Sequence, residues 1–209
     1  MNRLDFGNNA LQFLRQAMQG IDCVKISNKK RDSLVLEDAF NIFGNMLLNC
    51  SKENKKVLFV GNGGSAAIAS HLSIDFWKNG SIRAIAFNDA SLLTCLSNDY
   101  GYEYVFSKSV SQFAEGGDIL ITISSSGQSQ NILNAVASGR EKKCSIITFS
   151  GFSHKNALRD LGDLNFYVPS FNYGIVECLH LTLLHSLLDS YMKCTQNYDM
   201  KLGWNNEKN

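Results

Sequence analysis

Apolar positions along the chain change their period near residue 50. From Phe6 to Ile21 they recur at Phe6, Ala10, Phe13, Leu14, Ala17 and Ile21, the spacing of one helical face. A second helical stripe runs from Val35 through Ala39, Ile42, Phe43 and Met46, so the first fifty residues read as all-helical. Beyond them short β-rich runs alternate with helical stretches: "VLFV" at 57–60, "IRAIAF" at 82–87, "DILITIS" at 118–124, "CSIITFS" at 144–150 and "LNFYV" at 164–168. Strands alternating with helices imply right-handed crossovers and a mostly parallel sheet covered on both faces. The prediction is an α/β fold, a three-layer αβα sandwich of flavodoxin-like type, with a five-stranded, mostly parallel sheet preceded by the N-terminal helices. A last helix follows the single proline, Pro169, from about Gly174 to Met192, and is apolar nearly all round. Such a helix must be buried, and one domain of this size leaves room for subunit packing against it.

At 209 residues the chain suits one domain. It is read as a single unit over 1–194, including the N-terminal helices within 1–50, with a polar tail at 195–209 that receives no role. The formal charge of +1 gives no reason to expect a nucleic acid partner. No apolar run approaches the ~20 residues of a membrane span. Six cysteines without CxxC pairing, and an N-terminus without signal-peptide order, fit reduced thiols in a soluble cytoplasmic protein.

Candidate chemistry lies in two loops, each between a strand and a helix. In "GNGGSA", Gly61, Gly63 and Gly64 allow close backbone approach, and the N–H groups opening the next helix favour an anion. A plain turn needing positive φ uses the same glycines. Gly61, Gly63 and Ala66 also satisfy the loose dinucleotide fingerprint, but Asp89 comes later than the acidic residue that fingerprint requires, and no P-loop lysine is present. The second loop, "SSSGQSQ" at 124–130, offers the hydroxyls of Ser124, Ser125, Ser126 and Ser129 around Gly127. Two such loops after parallel strands, at the carboxyl edge where α/β ligands bind, point to a phosphate.

Two helical pairs offer metal ligands. His71 and Asp75 stand at i and i+4, and Glu177 and His180 at i and i+3 of the last helix. Nitrogen and oxygen donors in this pattern suit a four-coordinate divalent ion, zinc first. His185, five positions past His180, is read as structural, and His154 has no evident partner.

With "GNGGSAAIASH", "SNDYGYEYVFSKSV", "GDILITISSSGQSQNIL" and "VPSFNYGIVECLH" in this order, the sequence resembles the sugar isomerase (SIS) domain family, and within it the bacterial phosphoheptose isomerases, over nearly the whole chain to about Met192. The resemblance implies a homotetramer with active sites at subunit interfaces and one zinc ion per site, held by His71, Asp75, Glu177 and His180. It implies that Asn62, Gly63, Gly64, Ser65, Asn98, Asp99 and the four loop serines hold the sugar phosphate, with Glu177 beside it. The implied reaction converts sedoheptulose 7-phosphate to D-glycero-D-manno-heptose 7-phosphate through an enediol, in heptose biosynthesis for surface polysaccharide such as lipopolysaccharide or capsule. Asp75 is the implied base, and His180 assists in ring opening or proton transfer. This chain departs from the family pattern in four places. Asp75 replaces a glutamate, Glu177 a glutamine and Lys108 an arginine, and the segment before Glu177 is one residue shorter and lacks an arginine. Two alternatives remain open: an SIS isomerase of another sugar phosphate, and a non-catalytic SIS protein that senses sugar phosphates or binds a replication initiator.

Overall fold

The structure is a computed structural model that describes residues 5–196. In chain order its helices and strands are α1 (Phe6–Gly20), β1 (Lys25–Asn28), β2 (Ser33–Leu34), α2 (Leu36–Lys52), β3 (Val57–Gly61), α3 (Gly64–Lys78), β4 (Ala84–Ala86), α4 (Ala90–Tyr100), α5 (Val105–Phe113), β5 (Ile119–Ser124), α6 (Gln130–Glu141), β6 (Ser145–Ser150), β7 (Leu164–Tyr167) and α7 (Tyr173–Gln196). All five expected strands form, some of them shorter than their apolar runs. Residues 197–209 of the expected tail lie outside the described residues.

The sheet order is β2-β1-β7-β6-β5-β3-β4. Pairings from β4 through β7 are parallel, whereas β7 with β1 and β1 with β2 are antiparallel. The sheet therefore has seven strands among the described residues, not five, and the first fifty residues are not all helical. The reason is local. Asn28 accepts from the N–H groups of Lys30 and Asp32 at 2.9 and 3.0 Å, and Arg31 takes φ 68°. These contacts tighten a turn that lets Lys25–Asn28 cover the edge of β7, a common way of closing an exposed strand edge.

Side chains of the central parallel strands β3, β5 and β6 alternate between two cores. Val57 and Phe59 join Ile121 and Phe149 on the face covered by α2, α3 and α7. Leu58 and Val60 join Leu120 and Ile146 on the face covered by α5 and α6. Leu183, Leu184 and Leu187 of α7 belong to the first core, so this helix is largely buried within one chain. In contrast, α1 has no buried residue and leaves Phe6 76% and Met18 77% exposed.

Among the parallel strands the first in sequence, β3, lies between the second and the third. That is the 2-1-3-4-5 order of flavodoxin-like sheets. The chain leaves β3 toward one edge and returns at β5 on the other side, so the loops after these two strands diverge and open a crevice between them.

Candidate active site

A cavity of ≈ 250 Å³ occupies this crevice. Its first wall is Asn62, Gly63, Gly64 and Ser65, leading from β3 into α3. Gly63 has φ 55° and makes no side-chain cap, a backbone state that residues with a side chain rarely adopt. Its second wall is Ser124, Ser125, Ser126 and Ser129, between β5 and α6. Ser129 also starts its helix without a side-chain cap bond. Both helices thus present uncapped first-turn N–H groups to the same space, and the dipoles add to their attraction for an anion. Two of the serines brace the loop: Ser124 Oγ accepts from Gly127 N and Ser126 Oγ from Gln128 N, each at 3.2 Å.

The third wall is the start of α7, with Tyr173 and Glu177. The Glu177 carboxylate lies against Gly64, so close that a Cβ on that glycine would overlap it. Tyr173 packs edge-on against Phe152, with ring centroids 4.7 Å apart.

Two residues not anticipated from the sequence, Asn131 and Tyr102, fasten the walls together through Asn62. Asn62 and Asn131 exchange reciprocal amide hydrogen bonds of 2.9 and 3.0 Å, and Asn131 is buried. Tyr102 donates its hydroxyl proton to Asn62 Oδ1 at 2.8 Å. Asn98 and Asp99 do not line the cavity. They are exposed at the end of α4, where Asn98 donates to Asp99 at 2.9 Å.

The metal donors are grouped differently from the expected four. His71, Asp75 and His185 bring one ligand atom each to within 4.8 Å of one another. His71 Nε2 is 3.4 Å from Asp75 Oδ2, and the two histidine rings lie 5.2 Å apart. Asn79 donates to the other Asp75 oxygen at 3.2 Å and steadies the carboxylate. Two imidazole nitrogens and a carboxylate oxygen, partly open to solvent, fit a zinc-type ion that keeps a position for another ligand.

His180 and Glu177 are absent from this group, which corrects the expectation for His180 and for His185. Five helical positions carry a side chain about 140° round the axis, so His185 faces α3 and His180 faces the sheet. His180 is fully buried. Its Nε2–H donates to the Ser150 carbonyl at 3.1 Å, its Nδ1 has no partner, and its ring meets Phe149 edge-on at 5.7 Å. Burial lowers its pKa to about 4, against a smaller opposing effect of the Ser150 bond. Such a ring is neutral at physiological pH and touches neither cavity nor solvent. Glu177 belongs to the cavity wall, eight positions and about 12 Å of helix rise before His185.

Comparison with known proteins agrees with this architecture. The SIS domain family matches residues 29–151. The phosphoheptose isomerase of Haemophilus ducreyi is 34% identical over 169 residues, covering 78% of this chain and 84% of that protein. That of Helicobacter hepaticus is 36% identical over 160 residues, covering 74% and 81%. The solved phosphoheptose isomerase GmhA of Neisseria gonorrhoeae superposes with a TM-score of 0.77 at 28% identity, over 90% of this chain and 99% of the other. The parallel order of the strands, the glycine and serine loops at the switch point and these relatives lead to one conclusion: the chain belongs to the SIS domain family, among the phosphoheptose isomerases.

Proposed function

We propose that this chain is an aldose–ketose isomerase that converts sedoheptulose 7-phosphate to D-glycero-D-manno-heptose 7-phosphate. The observation that carries this reading is the placement of two sites along one helix pair. The serine-lined cavity sits at the start of α3 and α7, and the His71–Asp75–His185 group lies seven residues further along α3. At 1.5 Å per residue that is about 10 Å. A seven-carbon sugar extended from a phosphate in the cavity has the length to bring its carbonyl end to the second site.

The phosphate is held by the uncapped first-turn N–H groups of α3 and α6 and by Ser65, Ser125 and Ser129. Asp75 takes the proton from carbon 1 of the ketose and returns it to carbon 2, while the proton on oxygen 1 passes to oxygen 2, so the enediol collapses to the aldose. Zinc held by His71, Asp75 and His185 would supply positive charge where the carbonyl oxygen becomes an oxyanion. The assisting role that the resemblance gives to a histidine of the last helix falls on His185, because His180 has no exposed atom.

The functional form is a homotetramer in the cytoplasm, serving heptose biosynthesis for a surface polysaccharide. The uncovered apolar positions of α1, and Ile74 and Trp77 on α3 beside the metal group, 48% and 54% exposed, support association. No described helix is long and apolar enough to cross a membrane.

The test follows sedoheptulose 7-phosphate in deuterated water by NMR, with metal content measured in parallel. Zinc-loaded protein forms the aldose with deuterium next to the carbonyl, and chelation stops it. His185→Ala loses both zinc and turnover. Full turnover by His185→Ala would refute the assignment of roles, and no product and no deuterium exchange by the zinc-loaded wild type would refute the reaction.

A further inference from the structure

The two oxygens of Asp75 face different partners. Oδ2 lies 3.4 Å from His71 Nε2, close to the ~3.3 Å edge of a tetrahedron whose metal–ligand bonds are ~2.0–2.1 Å long. That spacing marks Oδ2 as the ligand atom. Oδ1 instead accepts from Asn79 Nδ2 at 3.2 Å. Asn79 is the C-cap residue of α3, with φ −96° and ψ −45°. It stands four positions after Asp75, so the two side chains share one face of the helix end. The main chain holds it there: the N–H groups of Asn79 and Gly80 both donate to the Asp75 carbonyl, at 2.9 and 3.0 Å, and Ser81 leaves the helix at φ 55°. Among the described residues the Asp75 carboxylate has no side-chain partners besides His71 and Asn79. An aspartate free to turn can present both oxygens to one ion. Chelation of that kind would take up the position that a zinc with three protein donors keeps for another ligand. A donor on Oδ1 opposes the turn, as outer partners of metal ligands do.

Resting on the metal reading of His71, Asp75 and His185, we infer that Asn79 is a positioning residue of that site: its amide reserves Oδ1, so that Asp75 offers the ion Oδ2 alone. The remaining position is thereby kept for an oxygen of the sugar. The same contact divides the two tasks of Asp75. Oδ2 faces the metal, and Oδ1, with a second lone pair beside the one that Asn79 occupies, is the oxygen that takes the proton.

Competition with a chromophoric chelator measures zinc affinity on the full-length protein, for wild type, Asn79→Ala and Asn79→Leu. Losing an outer partner of a metal ligand lowers affinity about 10–100-fold, and both variants are expected to fall in that range. Their metal-free melting midpoints stay at the wild-type value, because the side chain is exposed and the backbone bonds at the helix end remain. Cobalt(II) in place of zinc reads the geometry: its visible bands are intense with four ligands, and they weaken in both variants as the second oxygen of Asp75 joins. Unchanged zinc affinity, or cobalt bands as intense as those of wild type, would overturn the inference and leave the metal reading standing. A fall in the metal-free midpoint that accounts for the lost zinc would overturn it by making Asn79 a plain helix cap. Failure of wild type itself to bind zinc would overturn the metal reading and this inference together.

Discussion

Acid stability separates the two roles open to a histidine on α7. His180 has its pKa lowered from 6.5 to about 4 by burial, so between those values the unfolded chain binds a proton that the folded one refuses. The stability of the neutral ring is therefore intact above pH 6.5 and lost as pH falls toward 4. A gap of this size corresponds to about 3 kcal/mol across the window. Replacing His180 by phenylalanine removes the titration. It also removes the donor to Ser150 O, worth about 1 kcal/mol, but that carbonyl keeps its bond from Val168 N at 2.9 Å, and the unpartnered Nδ1 is no longer buried. The net change at pH 7 is then small. Denaturant unfolding followed by circular dichroism at pH 7, 5.5 and 4.5 is expected to show the variant gaining on wild type as pH falls, and ahead of it by about 2 kcal/mol at pH 4.5. Carboxylates titrating in both proteins cancel in the difference. A wild-type-minus-variant difference constant across the three pH values would refute the buried, neutral assignment. Zinc content and turnover at neutral pH survive in His180→Phe if the ring stays out of the cavity.

Two further substitutions probe how the cavity is held together. Asn131→Ala removes both bonds of the amide pair with Asn62 and leaves that side chain with Tyr102 alone, a cost of about 2–3 kcal/mol. A thermal scan is expected to show a fall of about 5–10 °C, together with weaker phosphate binding, and an unchanged midpoint would mean that the pair contributes nothing. Gly127→Ala places a Cβ at φ 62° and into the side chain of Asn156, which itself donates to the carbonyls of Gly151 and Ser153 at 3.0 and 2.8 Å. The expected loss is about 2–5 kcal/mol from backbone strain and overpacking, read by denaturant unfolding; wild-type stability would contradict the contact.

The elements legible in the sequence were those whose signal is local. Val57–Val60 and Ile119–Ile123 are buried on both faces, so each reads as a near-continuous apolar run, broken only by Thr122 in the second, without reference to the rest of the chain. The glycine and serine loops follow such runs, and the cavity they line was legible because adjacent parallel strands carry their loops to the same edge. The edge strands were not legible: β2 has two residues, and β1 buries only Ile26, so no period exists to be seen. Their pairing is decided by the edge of β7, more than 130 positions away in sequence. The histidines of α7 fail for a related reason. A helix apolar nearly all round has no polar face to orient it, so spacing from Glu177 favoured His180 while the packing of α3 against α7 selects His185. The glycines facing these helices record that packing. Gly64 leaves room for Glu177 and Gly80 for Leu188, so α3 and α7 run parallel in close contact and the side chains between those points must meet. His71 and His185 lie within that interval, and a larger residue at Gly64 or Gly80 would separate them along with the helices.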